Sequence, residues 1–178
     1  MGQEFTGEIY SDWMKSTQEK KYREIILEFI LPIKDKIDLS SDRVLDVGVG
    51  KGWFEKKLHE REIESSITGL DVDKTDLAIE GIDFVVGDGN RMPFEDSSFD
   101  FVISFDTIHL LKRPKEIERV VSEGGYALIS TYCNERNFKS RGDKVKSLFD
   151  MEILKEGVVG DPSHEMSYVV LFRNGSVV

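Results

Sequence analysis

The run Val44-Leu45-Asp46-Val47-Gly48-Val49-Gly50-Lys51-Gly52 constrains this chain more than any other. A short, mostly apolar stretch of strand character ends in three glycines at alternate positions, and a helical pattern begins at Trp53. Strand, tight glycine turn and helix in immediate succession are the opening unit of an open α/β sheet, which binds ligands at the carboxyl ends of its strands. Glycine lets backbone approach a ligand closely, and the helix that follows offers free amides. The spacing is Gly-x-Gly-x-Gly, not the Gly-x-Gly-x-x-Gly of dinucleotide binders. Asp46 also stands two positions ahead of the first glycine, where it opposes a pyrophosphate and suits a ligand bearing an ammonium group.

The rest of the chain follows the same alternation. Ser16-Thr17-Gln18-Glu19 is a capping box. Tyr22, Ile25, Ile26, Phe29 and Ile30 then recur at helical spacing until Pro32 ends or kinks the helix. Strands are expected at 43–47, 66–71, 82–87, 99–105 and 126–131, with helices at 53–61, 73–80 and 114–122. Short apolar strands alternating with helices require a parallel sheet covered on both faces. The tail departs from this rule: 151–157 and 166–173 read as an antiparallel pair at one sheet edge. Before that pair, Arg136, Lys139, Arg141, Lys144 and Lys146 face only Glu135 and Asp143 as acids in 134–147.

Two further elements stand at strand ends. Asp71, in Thr68-Gly69-Leu70-Asp71-Val72-Asp73, lies some twenty residues past the first glycine, the standard place for an acid that holds ribose hydroxyls. Asp73 reads as a helix cap. Past the third strand, Val86-Gly87-Asp88-Gly89-Asn90-Arg91-Met92-Pro93-Phe94 offers a carboxylate for an exocyclic amine and a glycine amide for a ring nitrogen. Val72 and Met92 would be the apolar covers of that adenine.

Taken in order, these motifs resemble the class I methyltransferases that use S-adenosylmethionine, with the ubiquinone- and menaquinone-type branch as the nearest likeness. The resemblance runs from about Tyr10 to Thr131 and includes Ser97-Ser98-Phe99-Asp100-Phe101-Val102-Ile103-Ser104 and Glu123-Gly124-Gly125-Tyr126-Ala127-Leu128-Ile129-Ser130. It implies a doubly wound, Rossmann-like α/β fold. Its seven-stranded sheet has order 3-2-1-4-5-7-6, with the last inserted strand antiparallel and helices on both faces. It places Asp46, Gly48 and Gly50 at the methionine end of the cofactor, Asp71 on the ribose, and Asp88 and Gly89 on the adenine. The backbone of Ser104 would lie near the methionine portion. Asp106, Thr107 and His109 follow the fourth strand, and His109 is the candidate general base because an imidazole titrates near neutrality. Phe105-Asp106-Thr107-Ile108 departs from the Asn/Asp-Pro-Pro-Tyr/Phe motif of enzymes that methylate amide or nucleobase nitrogens. Tyr10 and Trp13 match the aromatic pair relatives carry on an N-terminal arm.

Composition narrows the partners. With 178 residues the chain is expected to form one domain, with 1–38 as arm and possible lid, 43–131 as cofactor-binding core and 132–178 as basic segment and edge strands. A formal charge of −10 disfavours nucleic acid as the main partner. The expected acceptor is a small molecule, and an anionic one if the basic segment draws it; the competing view of that segment is a solvated helix face. Cys133, the single cysteine, has no internal partner for a disulfide and points to a reducing, cytoplasmic location with no metal site. No run approaches the ~18 apolar residues of a membrane span, and no secretory leader is expected. Met1-Gly2 and Asn174-Gly175-Ser176 match short modification patterns by chance. A nicotinamide-dependent oxidoreductase, a cofactor-binding protein without turnover, and an RNA or protein methyltransferase are the alternatives.

Overall fold

All four residues of β1, Val44–Val47, are buried, as a strand covered on both faces must be. The structure, a computed structural model, describes residues 17–73, 80 and 82–175. β1 pairs in parallel with β2 (Ile67–Asp71) and β4 (Phe99–Ser104), and β2 pairs with β3 (Asp83–Val86). β5 (Val121–Cys133) lies parallel to β4, while β7 (Met166–Arg173) is antiparallel to both β5 and β6 (Glu152–Gly160). The sheet therefore has seven strands in the order 3-2-1-4-5-7-6, the expected one.

Side chains alternate across the sheet and build one core on each face. Leu45, Val47, Val102, Val170 and Phe172 face α3 (Lys115–Val120) and α4 (Phe138–Lys146). Val44, Phe101, Ile103, Val169 and Leu171 face α2 (Trp53–His59) and α1, which is helical over 17–25. α1 continues as a π turn over Ile26–Ile30 and a 3-10 turn over Leu31–Ile33. Pro32 cannot donate to an i→i−4 bond, and the helix ends there by changing its hydrogen-bond period. Ile25, Ile26, Phe29, Ile30 and Ile33 stay buried throughout.

Three expected boundaries move. The helix foreseen over 114–122 ends at Val120, because Val121 pairs with Phe99 and turns extended. β5 thus begins before Gly124-Gly125, which bends the strand instead of separating helix from strand. The helix expected to reach Arg61 stops at His59, and Glu62 takes a positive φ. The basic segment contains α4, over Phe138–Lys146, a helix whose bounds the sequence analysis left open. The expected helix over 73–80, the capping residue Ser16, and Tyr10 and Trp13 lie wholly or largely outside the described residues. No described helix is long and apolar enough to cross a membrane.

Candidate functional site

A cleft of about 200 Å³ opens across the carboxyl ends of β1, β2 and β3. Gly48, at the end of β1, has φ +84°, and a Cβ there would meet the Thr107 hydroxyl at 2.3 Å, so only glycine fits. The Gly48 amide donates to the Leu70 carbonyl at 2.7 Å, which fastens the turn to the tip of β2. Asp71 accepts from the Gly50 amide at 2.9 Å. The first glycine turn and the acid after β2 are thus joined directly.

The third motif closes the other end. Asp88 accepts from the backbone and side-chain amides of Asn90, both at 2.8 Å, and those bonds hold its carboxyl below the usual range. Asn90 in turn accepts from the amides of Lys112 and Arg113 at 2.6 and 3.0 Å. It ties the Asp88-Gly89 loop to the segment after β4. Val72 and Leu110 are 60% and 66% exposed and both line the cleft. Large apolar side chains left open to water on the lips of the cleft suit the faces of a planar ring.

The foreseen residues divide as follows. Gly48, Asp71, Val72, Asp88 and Gly89 line the cleft, with Gly50 bonded to Asp71 at its edge. Met92 is not among the lining residues. It is buried in the core beside α3, where its amide donates to Glu116 at 3.0 Å. Leu110 and Leu111 stand in the cleft as apolar covers, and Thr107 joins them. Ser104 is fully buried, its hydroxyl donating to the Val47 carbonyl at 3.0 Å. Asp106 takes φ +52° and turns from the cleft to the buried Lys21 ammonium at 2.7 Å. His109 is exposed on the 3-10 turn Ile108–Leu110, whose Ile108 is buried, and lines a neighbouring cavity instead.

Asp46 lies on the face of β1 that packs under α1 and α2, a place for apolar side chains by alternation. Its partner there is Glu55, the third residue of α2 and absent from the sequence reading. Asp46 Oδ1 and both Glu55 oxygens are buried without a hydrogen-bond partner among the described residues. Burial, and then the Glu55 charge beside it, push the Asp46 carboxyl well above the usual carboxylate range. Two acids with only each other as partner in an apolar layer are costly and suit a cation arriving with a ligand. Only the alternation of β1 with the burial of α2 could have revealed Glu55 in advance. The described residues form no cluster of His, Cys, Asp and Glu fit for a metal ion. Cys133 is buried, which pushes its thiol up to about 11 and leaves it a weak nucleophile.

Comparison with known proteins finds likeness in sequence and in fold. Residues 45–129 match the family model described as a methyltransferase domain. The chain is 32% identical over 155 residues to phthiotriol/phenolphthiotriol dimycocerosates methyltransferase 1 of Mycobacterium ulcerans, covering 78% of this chain and 57% of the relative. It is 34% identical over 102 residues to a fatty-acid O-methyltransferase of Mycolicibacterium smegmatis, with 51% and 37% covered. The matched stretch is thus less than two thirds of either relative. A SAM-dependent methyltransferase from Aquifex aeolicus superposes with a TM-score of 0.60 at 17% identity, covering 89% of this chain and 96% of that one, a likeness of fold.

Proposed function

We infer that this chain belongs to the class I S-adenosylmethionine-dependent methyltransferases and transfers a methyl group to a small, lipid-like acceptor. The observation that carries the inference is the joined set of strand ends, with Gly48 fastened to β2, Asp71 bonded to Gly50, and Asp88-Gly89 closing the cleft. The residues present fit the cofactor. Asp71 lines the cleft, its Oδ2 taking the Gly50 amide and its Oδ1 only the long 3.4 Å contact from the Asp73 amide, which suits ribose hydroxyls. Val72 and Leu110 offer ring-sized apolar cover, and Asp46 with Glu55 meets the need of an ammonium. When bound, S-adenosylmethionine supplies an electrophilic methyl carbon on a sulfonium.

The chain's own work is alignment and water exclusion, since orientation alone contributes several kcal/mol to such a displacement. His109 is the proton acceptor of this proposal, exposed on the turn directly after β4. The lipid-like acceptor follows the names of the two relatives, whereas the ubiquinone- and menaquinone-type branch rests on the sequence resemblance alone. An anionic acceptor is favoured by the cations of α4 in a chain of net charge −10. The lone cysteine favours a cytoplasmic place for the reaction.

Thermal melts test the cofactor. S-adenosylhomocysteine at 100 times its dissociation constant should add about 2.7 kcal/mol of stability, and NAD none. Asp71→Ala should cut cofactor affinity roughly ten- to a hundredfold while the fold persists, the loss of a charge-assisted bond of about 1.5–3 kcal/mol. A melt shifted by NAD alone, or by neither sulfur ligand, overturns the inference.

A further inference from the structure

A second cavity, about 70 Å³, lies between the 3-10 turn after β4 and helix α4. A single water needs about 10–15 Å³ of such space, so a small polar head group fits. Arg141, Lys144 and Val145 line it from one side at i, i+3 and i+4 of α4, and Leu148 continues that side from the turn after the helix. Packing sets which side that is. A Cβ on Gly142 would meet the Tyr168 ring at 2.4 Å, so α4 presses Gly142 and buried Val145 against β7. The flank carrying Arg141 and Lys144 is thereby turned toward Ile108 and His109.

The cations of the basic segment are not equivalent. Lys146 is held by Asp143 and Glu156 at 3.2 and 3.0 Å. Among the described residues, neither Arg141 nor Lys144 makes an ion pair, and both line the cavity. Two unneutralised cations above an apolar floor, in an acidic chain, match an amphipathic anion. Leu111 walls both this cavity and the strand-end cleft, so the two spaces adjoin.

We propose that this cavity is the head-group pocket of the methyl acceptor and takes a carboxylate carried on an apolar chain. Arg141 and Lys144 hold the carboxylate, and Ile108, Val145 and Leu148 cover its first carbons. The proposal rests on the methyltransferase assignment for the word acceptor, while binding itself is read separately. Decanoate and decanol are titrated by NMR into the full chain saturated with S-adenosylhomocysteine.

Decanoate should bind saturably, shift Ile108, Val145 and Leu148, and exceed decanol by at least about tenfold. Arg141→Gln with Lys144→Gln should weaken decanoate at least about tenfold, the scale of a lost charge-assisted bond, with S-adenosylhomocysteine affinity unchanged. Lys139→Gln, on the same helix outside the cavity lining, should leave decanoate binding as it was. Equal binding by the double variant, equal loss with Lys139→Gln, or decanol binding as tightly as decanoate overturns the pocket. Failure of S-adenosylhomocysteine to bind overturns the methyltransferase assignment instead. Decanoate is then titrated into the protein alone, where the same comparisons decide the pocket.

Discussion

Two polar clusters lie against α1, and they solve the burial of charge in opposite ways. Lys21 is 1% exposed, yet its ammonium donates to Asp106 at 2.7 Å, to Glu165, and to the Ser167 hydroxyl at 3.3 Å. Ser130 and Ser167 donate in turn to Asp106. Asp46 and Glu55 have only each other and no cation. Between the clusters sits an aromatic trio, Tyr22, Phe54 and Phe105, with ring centres 4.8 to 5.7 Å apart. A served cluster acts as a clasp, joining α1, the end of β4 and the start of β7. The acid pair is held in place by the fold without a counter-charge. A buried charge informs on function mainly when its partners are missing.

The comparison breaks most forcefully at the clasp. Lys21→Met leaves Asp106 and Glu165 facing each other without a cation, and stripping one partner from a buried pair costs about 3–5 kcal/mol. At 2–4 °C per kcal/mol for a chain of this size, the melting temperature should fall by roughly ten degrees. Adding Glu165→Gln should recover part of that loss. A melt within two degrees of wild type would make the cluster decorative.

The acid pair should show the reverse profile. Asp46→Asn should leave the ligand-free melt unchanged or raised, because a buried acid is removed. Cofactor affinity should fall roughly tenfold or more, the scale of a charge-assisted bond. A variant that loses stability and keeps its cofactor affinity would move Asp46 into the class of Lys21.

The smallest effect sharpens the contrast through pH. A carboxyl raised in the folded state favours folding below its unfolded value near 4. That contribution disappears as pH climbs from there toward the folded value. Asp100, paired with Arg43 at 2.7 Å and lowered to about 2, acts in the opposite sense and only below about pH 4. Urea midpoints between pH 5 and 8 therefore isolate the acid pair. Wild type should lose on the order of 1 kcal/mol across this range, and Glu55→Gln should flatten the slope. Parallel slopes in the two proteins would mean the pair does not titrate there.

Motifs read along the chain found the cleft because its backbone parts are local. A glycine turn, an acid at a strand end and an Asp-Gly loop each declare themselves within a few residues. Leu110, Leu111 and Asn90 escaped because their roles depend on contacts between loops far apart in sequence, such as Asn90 with the amides of Lys112 and Arg113. The burial of Met92 was hidden for the same reason. An apolar residue beside a binding loop can cover a ligand or enter the core, and only the position of α3 settles which.

Local pattern by itself determined the strands, the parallel core of the sheet and the joined glycine and acid motifs. Period and turn chemistry operate over a few residues, and the parallel order follows from helices that must cover both faces. Tertiary structure alone decided which charges have partners. Lys21 and Glu165, or Asp46 and Glu55, come together only when α1, α2 and β7 pack on the sheet. The cost of burying each charge is set by what packing brings within hydrogen-bond reach.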